Sequence, residues 1–343
     1  MIILFLILLA VILYGIRFSS YHEDYMAPGS TNAIKGAFAV IILYSHMRGY
    51  IVLSDSIYDQ AYVIILKCFG QLMVALFLFY SGFGIMESVR KKPQYFSKFP
   101  RNRIFKTLLH FDIAVLAFVA MMGILGYRYP TINYITCWIG WESVGNSNWF
   151  IFDILALYSL TYIAHILLRT SASPTSPSKL CLITSVMSIV LWLFLKFYGK
   201  DVYWYDTILT YPLGMWYSLY RAPIESLLSR KKTSIIIIAA VSVISISWHY
   251  VFSHDPIGIG SCLFCMFTVC LSAKVKINNA ILQWLGTHAF SIYVIQRLPM
   301  NLFQFFGWNE SPYLFAIISI PSVMAAACLF DRVLSQIDSI FEF

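Results

Sequence analysis

The chain has 343 residues, of which 59% are hydrophobic and only 12% charged, against about 25% charged in ordinary soluble chains. With a mean hydropathy of +0.74, a water-soluble domain is excluded, because nearly every segment would have to be buried on all faces. The net charge of +8 does not point to nucleic acid, since the positives sit in short loops between apolar runs, where they set topology.

Apolar runs long enough to cross a ~30 Å hydrocarbon core recur along the whole sequence. Breaks at charged and turn-forming residues predict eleven helices, over 1–18, 33–52, 61–87, 104–126, 147–168, 180–198, 205–220, 233–252, 257–273, 281–298 and 311–331. The expected fold class is all-α, a polytopic transmembrane bundle of about ten or eleven helices. It divides into an N-terminal anchor and connector (1–30), a helical membrane domain (31–335) and a short tail (336–343). The first run has no basic residue ahead of it and no small-residue cleavage site behind it, so it reads as an uncleaved anchor. The run at 205–220 is short and contains Pro212, which predicts a kinked or re-entrant segment. Ser171–Ser178 reads as a short flexible connector.

Alternating the loops from an outside N-terminus assigns most of the 24 Lys and Arg to the cytoplasm. Arg48, Lys67, Arg128, Lys196, Lys200 and Arg297 fall on or toward the outside. This bias predicts a multi-pass protein of the cell (inner, cytoplasmic) membrane with a cytoplasmic C-terminus. Cys262 and Cys265 form a CxxC, but no second pair or histidine cluster completes a zinc site, so no metal is expected.

An ionisable residue inside a span is costly and is therefore a functional candidate. In the second helix, AIKGAFAVIILYSHMRGYIV, ten residues separate Lys35 from His46. Eleven steps are almost three turns, so both side chains face the same way, about 16 Å apart along the axis. A cation then guards the cytoplasmic entrance and an imidazole stands near mid-membrane. Such an imidazole can be a general base toward a hydroxyl, can carry an acyl group itself, or can simply pack against a neighbouring helix.

In the third helix Ser81, Gly82 and Gly84 would let another backbone approach closely. Ser81 has no base nearby in sequence, so packing is its simpler role. The next loop, RKKPQYFSKFPRNRIFK, is the most basic in the chain. Arg103, Lys106 and His110 follow one another at i, i+3 and i+7, which predicts one cationic face at a membrane entrance, suited to a phosphate-bearing ligand. Asp153 lies about one turn inside the outer boundary and is expected to pair with a cation or polar group of the bundle. Near the C-terminus, QWLGTHAFSIYVIQRLP puts His288, Ser291, Tyr293, Gln296 and Arg297 on one span. Gln296 lies at the depth an outer-side substrate would need.

Six segments, read in order, carry a family resemblance: AIKGAFAVIILYSH (33–46), LMVALFLFYSGFGI (72–85), FPRNRIFK (99–106), NWFIFDILALY (148–158), YPLGMWYSLY (211–220) and WLGTHAFSIYVIQ (284–296). Over roughly 31–335 the chain resembles the acyltransferase-3 membrane proteins, which acylate glycans, lipids and other acceptors outside the bacterial cytoplasm. The resemblance implies an O-acyltransferase that takes an acyl group from an acyl-CoA such as acetyl-CoA, with no permanently bound cofactor. Its acceptor would be a hydroxyl of a surface or lipid-linked glycan. His46 would be the catalytic histidine, Lys35 would stand where the family has Arg or Lys, and Arg103 with Lys106 would fill its RxxR motif. Lys106 replaces the second arginine and loses a bidentate fork. Gln296 stands where the family's last motif often has histidine, and it cannot exchange a proton near neutral pH.

A transporter or flippase for a lipid-linked saccharide is the alternative reading. It predicts internal repeats and paired broken helices, of which only the Pro212 segment is visible. A glycan polymerase would call for a long Arg-rich outer loop, whereas the loop at about 127–146 carries Arg128 and Glu142 alone. A scaffold would leave the aligned Lys35 and His46 unexplained.

Overall fold

The computed structural model describes residues 1–169, 176–251, 258–277 and 279–343. The expected connector at Ser171–Ser178 falls outside the described residues over 171–175. Helix falls in all eleven predicted segments, with altered bounds and with Ile16–Phe18, predicted as the end of the first helix, forming a strand instead: α1 (Ile2–Leu13), α2 (Pro28–Met47), α3 (Ile57–Phe69), α4 (Leu72–Lys91), α5 (Lys106–Ile124), α6 (Thr131–Thr136), α7 (Trp149–Leu168) and α8 (Pro177–Tyr198) come first. After them follow α9 (Thr210–Leu219), α10 (Arg221–Ser229), α11 (Lys231–Val251), α12 (Ile259–Ser272), α13 (Ala280–Thr287), α14 (Ala289–Ile295), α15 (Arg297–Phe305) and α16 (Pro312–Ile340). A π-helical turn, Pro100–Phe105, leads into α5.

Among the described residues, five runs are long and apolar enough to cross a membrane by themselves: Ile57–Lys91, Pro100–Ile124, Trp149–Leu168, Pro177–Tyr198 and Pro312–Ile340. The protein is an all-α, multi-pass membrane bundle. Two of the other predicted spans differ for identifiable reasons. The 281–298 run is divided among α13, α14 and α15, with breaks at His288 and Gln296. The 205–220 run shrinks to α9, ten residues, or about 15 Å of helix. Pro212 neither kinks nor breaks α9. It is the third residue of the helix, where the missing N–H has no intrahelical partner to lose.

Helix α2 is the centre of the bundle. Twelve of its 20 residues are buried, on nearly every face. Two pairs of reciprocal glycines set the closest helix crossings. A Cβ on Gly36 would lie 1.9 Å from the Leu282 carbonyl oxygen, and one on Gly286 would lie 1.9 Å from that of Asn32. Likewise a Cβ on Gly82 would meet the Tyr211 carbonyl oxygen at 2.0 Å, and one on Gly214 that of Phe79 at 2.0 Å. Each glycine meets the carbonyl about one turn before its counterpart, and contacts farther along rise together (Ala75 with Thr210, Glu87 with Ser218, His46 with Arg297), so α2 with α13 and α4 with α9 are parallel pairs in backbone contact. Gly84, expected to share this role, has open space around it.

The loops group at two ends. At one end a two-stranded antiparallel ribbon joins β1 (Ile16–Phe18) to β2 (Val275–Ile277). There Lys274 donates to the Leu228 carbonyl at 2.6 Å, Arg90 to the Ser218 carbonyl at 2.6 Å, and Arg221 stands 3.7 Å from Glu87. These are residues that the positive-inside pattern assigns to one side. At the other end Lys200 pairs with Glu142 at 3.1 Å, and Tyr50 donates to Asn301 at 2.8 Å.

Candidate active site

At the basic end, a surface hollow of about 940 Å³ is lined by Lys91, Lys92, Lys98, Arg103 and Lys106. A second cavity, about 310 Å³, runs inward from Lys35 and Arg103 past Ser81 and Tyr158 to Phe150 and Tyr293. Arg103 lines both, so it stands at the boundary between the hollow and the bundle interior. Its Nε donates to the Tyr95 hydroxyl at 3.1 Å. Lys35 has no carboxylate partner among the described residues, and its ammonium is left for the cavity. Ser81 lines the wall and shares a 2.7 Å hydrogen bond with the Tyr158 hydroxyl.

Arg103, which also reaches the inner cavity, meets Lys106 and His110 at one hollow of about 400 Å³ bordered by Asp331 and Asp338 of α16, as their spacing predicts. There Lys106 Nζ and His110 Nε2 bind the two oxygens of Asp338, at 2.8 and 2.7 Å. At 29 residues, or about 44 Å, α16 outruns the hydrocarbon core and carries Asp338 to this end. His288 and Ser291 both bond to Asp331 on the same helix.

His46 lies in the last turn of α2. Its Nδ1 meets two donors: Nε of Arg297 at 3.0 Å and the Ser147 hydroxyl at 3.0 Å. A guanidinium only donates, so Nδ1 carries the lone pair and the ring proton resides on Nε2. The ring packs edge-on to Tyr293 with centroids 6.2 Å apart, and Tyr293 in turn packs against Phe150 at 5.3 Å. Phe150 and Tyr293 line the inner cavity and His46 does not. The imidazole therefore stands behind an aromatic pair that closes the cavity's tip.

Neither Ser147 nor this role of Arg297 was legible in the sequence. Ser147 precedes α7 in a loop held by Gly145 at φ +96°, where a Cβ would lie 2.6 Å from Met122 Cε. Asn146 accepts from the Val144 amide at 3.0 Å, and Asn301 donates to the Gly145 carbonyl at 3.2 Å. Arg297 opens α15, immediately after the break at Gln296. Gln296 itself is fully buried and donates to the Tyr293 carbonyl at 3.1 Å, and it makes no bond to His46. Thus the side chain that reaches the imidazole is one residue later than the position singled out.

Asp153 departs from expectation. It is fully buried, and neither carboxylate oxygen has a hydrogen-bond partner among the described residues. Among the described residues no cation pairs with it, and another acid, Asp206, acts on it.

A family model described as an acyltransferase domain, acyltransferase-3, matches residues 29–332. No curated protein and no solved structure matches the chain.

Proposed function

Because the chain belongs to the acyltransferase-3 family and is an acyltransferase, we propose that it moves an acyl group, in the simplest case acetyl, from an acyl-CoA to a hydroxyl of a surface or lipid-linked glycan. The basic end faces the cytoplasm in this reading, in keeping with the positive-inside pattern. The acceptor comes to the other end, where His46 and Arg297 lie. The protein then belongs to the cell membrane, with its C-terminus inside.

One observation carries the reading. A hollow rich in lysine narrows at Arg103 into a cavity that ends one aromatic side chain from His46. The CoA phosphates would bind at Lys35, Arg103 and Lys106, and the pantetheine arm would extend along Ser81 and Tyr158. The thioester then stops beside the Tyr293 and Phe150 pair. His46 takes the proton of the attacking hydroxyl at Nδ1, and Arg297 is positioned to meet the negative charge that develops on oxygen.

Two variants test donor binding. Arg103→Ala should raise the KM for acyl-CoA about 10- to 100-fold, the worth of one or two charge-assisted hydrogen bonds, with Arg103→Lys recovering part of the loss. Asp338→Asn should lower that KM about two- to fivefold, because a half-exposed ion pair worth up to about 1 kcal/mol no longer competes for Lys106 and His110. Initial-rate titration of acyl-CoA on the purified protein measures both. For the acceptor, mass spectrometry of the host's envelope glycan with and without the gene is decisive. Loss of an ester from an otherwise intact glycan is expected. Loss of the entire polymer would overturn the assignment and favour export.

A further inference from the structure

We propose that the hydroxyl first served by His46 belongs to the protein itself, and that Ser147 carries the acyl group between donor and acceptor as a covalent ester. The proposal rests on the acyl-transfer reading above and adds an intermediate to it.

The hydroxyl of Ser147 differs from those of Ser159, Thr161 and Ser188 on neighbouring helices. Ser159 and Ser188, like Thr161, donate at 2.8 Å to the carbonyl four residues back, the usual resting arrangement in a membrane helix. Ser147 lies outside a helix, is 4% exposed, and directs its hydroxyl at an imidazole nitrogen from 101 positions away in the chain. Nucleophile, base and a third group on the base are thus together: Ser147 Oγ, His46 Nδ1 and Arg297 Nε. The turn that holds this buried hydroxyl has Gly145 at φ +96°, a conformation that side-chain-bearing residues rarely adopt.

Position supports the role. Phe150 and Ile151 line the tip of the donor cavity and follow Ser147 by three and four residues. Ser147 therefore lies just beyond that tip along the chain, where an acyl thioester could reach it once Tyr293 and Phe150 part. A carrier at this point lets each substrate use its own end of the protein, so the two need not be bound at once.

The steps balance. Ser147 Oγ attacks the thioester carbonyl carbon, its proton passes to His46 Nδ1, and Arg297 shifts its N–H to the oxyanion. The C–S bond breaks and the thiolate leaves with the proton from the imidazolium, giving a free thiol and acyl-O-Ser147. In the second half the acceptor hydroxyl attacks the ester carbonyl and gives its proton to His46. The C–Oγ bond breaks and Ser147 regains a proton, leaving the acylated acceptor.

The test uses full-length protein in detergent with acetyl-CoA labelled in the acetyl group and no acceptor, followed by peptide mass spectrometry. One label per chain, on Ser147, is expected, with stoichiometric release of free CoA thiol. Ser147→Ala should take no label and lose at least 100-fold in glycan acylation in cells. Ser147→Cys fills the same space and should be labelled as a thioester cleaved by neutral hydroxylamine. A Ser147→Ala protein that still acylates the glycan within tenfold of wild type overturns the carrier, as does a label on His46 or on no residue while transfer proceeds. If wild-type protein releases no thiol from any acyl-CoA, the donor assignment falls as well, and with it the premise.

Discussion

His46→Ala is expected to reduce acyl transfer about 10²- to 10⁴-fold, the range for loss of a positioned general base, while leaving protein abundance near wild type. Abundance should hold because His46 adds two hydrogen bonds and no large share of the core. The informative companion is His46→Asn. An asparagine oxygen can still accept from Arg297 but cannot take a proton, so it keeps the charge arrangement and removes the chemistry. Activity in cells and with purified protein, set against quantitative immunoblots, measures both. An active asparagine variant would confine His46 to packing.

The second large effect concerns the fold. Gly82→Ala is expected to unfold or strongly deplete the protein, because its Cβ would sit 2.0 Å from a backbone carbonyl of α9 that no side-chain rotation can move. Relief requires α4 and α9 to separate by more than 1 Å, and overpacking of this kind costs about 3 kcal/mol or more. Gly36→Ala and Gly286→Ala should behave alike at the α2–α13 crossing, with Cβ contacts of 1.9 Å. Gly84→Ala is the matched control on the same helix, since nothing lies within 4 Å of that site. Thermal melts in detergent followed by size-exclusion profiles should separate Gly82→Ala from Gly84→Ala by a wide margin. Equal behaviour of the two would contradict the backbone-contact account.

That contrast also marks how far the sequence could be read. A small residue on a membrane helix signals close approach, but the signal does not say which of two neighbours is used, so Gly82 and Gly84 look equivalent until α9 is docked. Helical period alone places Lys35 and His46 on one face of α2, because both belong to one unbroken helix. The same rule brings Arg103, Lys106 and His110 to one hollow even though a π turn intervenes, while Arg103 also reaches the inner cavity. Loop charge groups the ends correctly, because it depends on composition rather than on contact. Contacts between distant residues were out of reach. Ser147 and Arg297 meet His46 across separations of 101 and 251 positions, and Asp338 meets Lys106 across 232. No local pattern encodes those meetings, although Arg297, a cation next to a conspicuous polar position in an apolar run, was the nearest thing to a signal.

The ribbon between β1 and β2 has a bearing on how the chain is made. Ile16 pairs with Ile277 and Phe18 with Val275, so the first strand waits for a partner synthesised roughly 260 residues later, or about 13–52 s at ordinary translation speeds of about 5–20 residues per second. During that interval α1 is not yet clasped, and the edge of β1 is unsatisfied. Closure of the ribbon is therefore a late event on the ribosome's clock, and it ties together two segments made far apart in time.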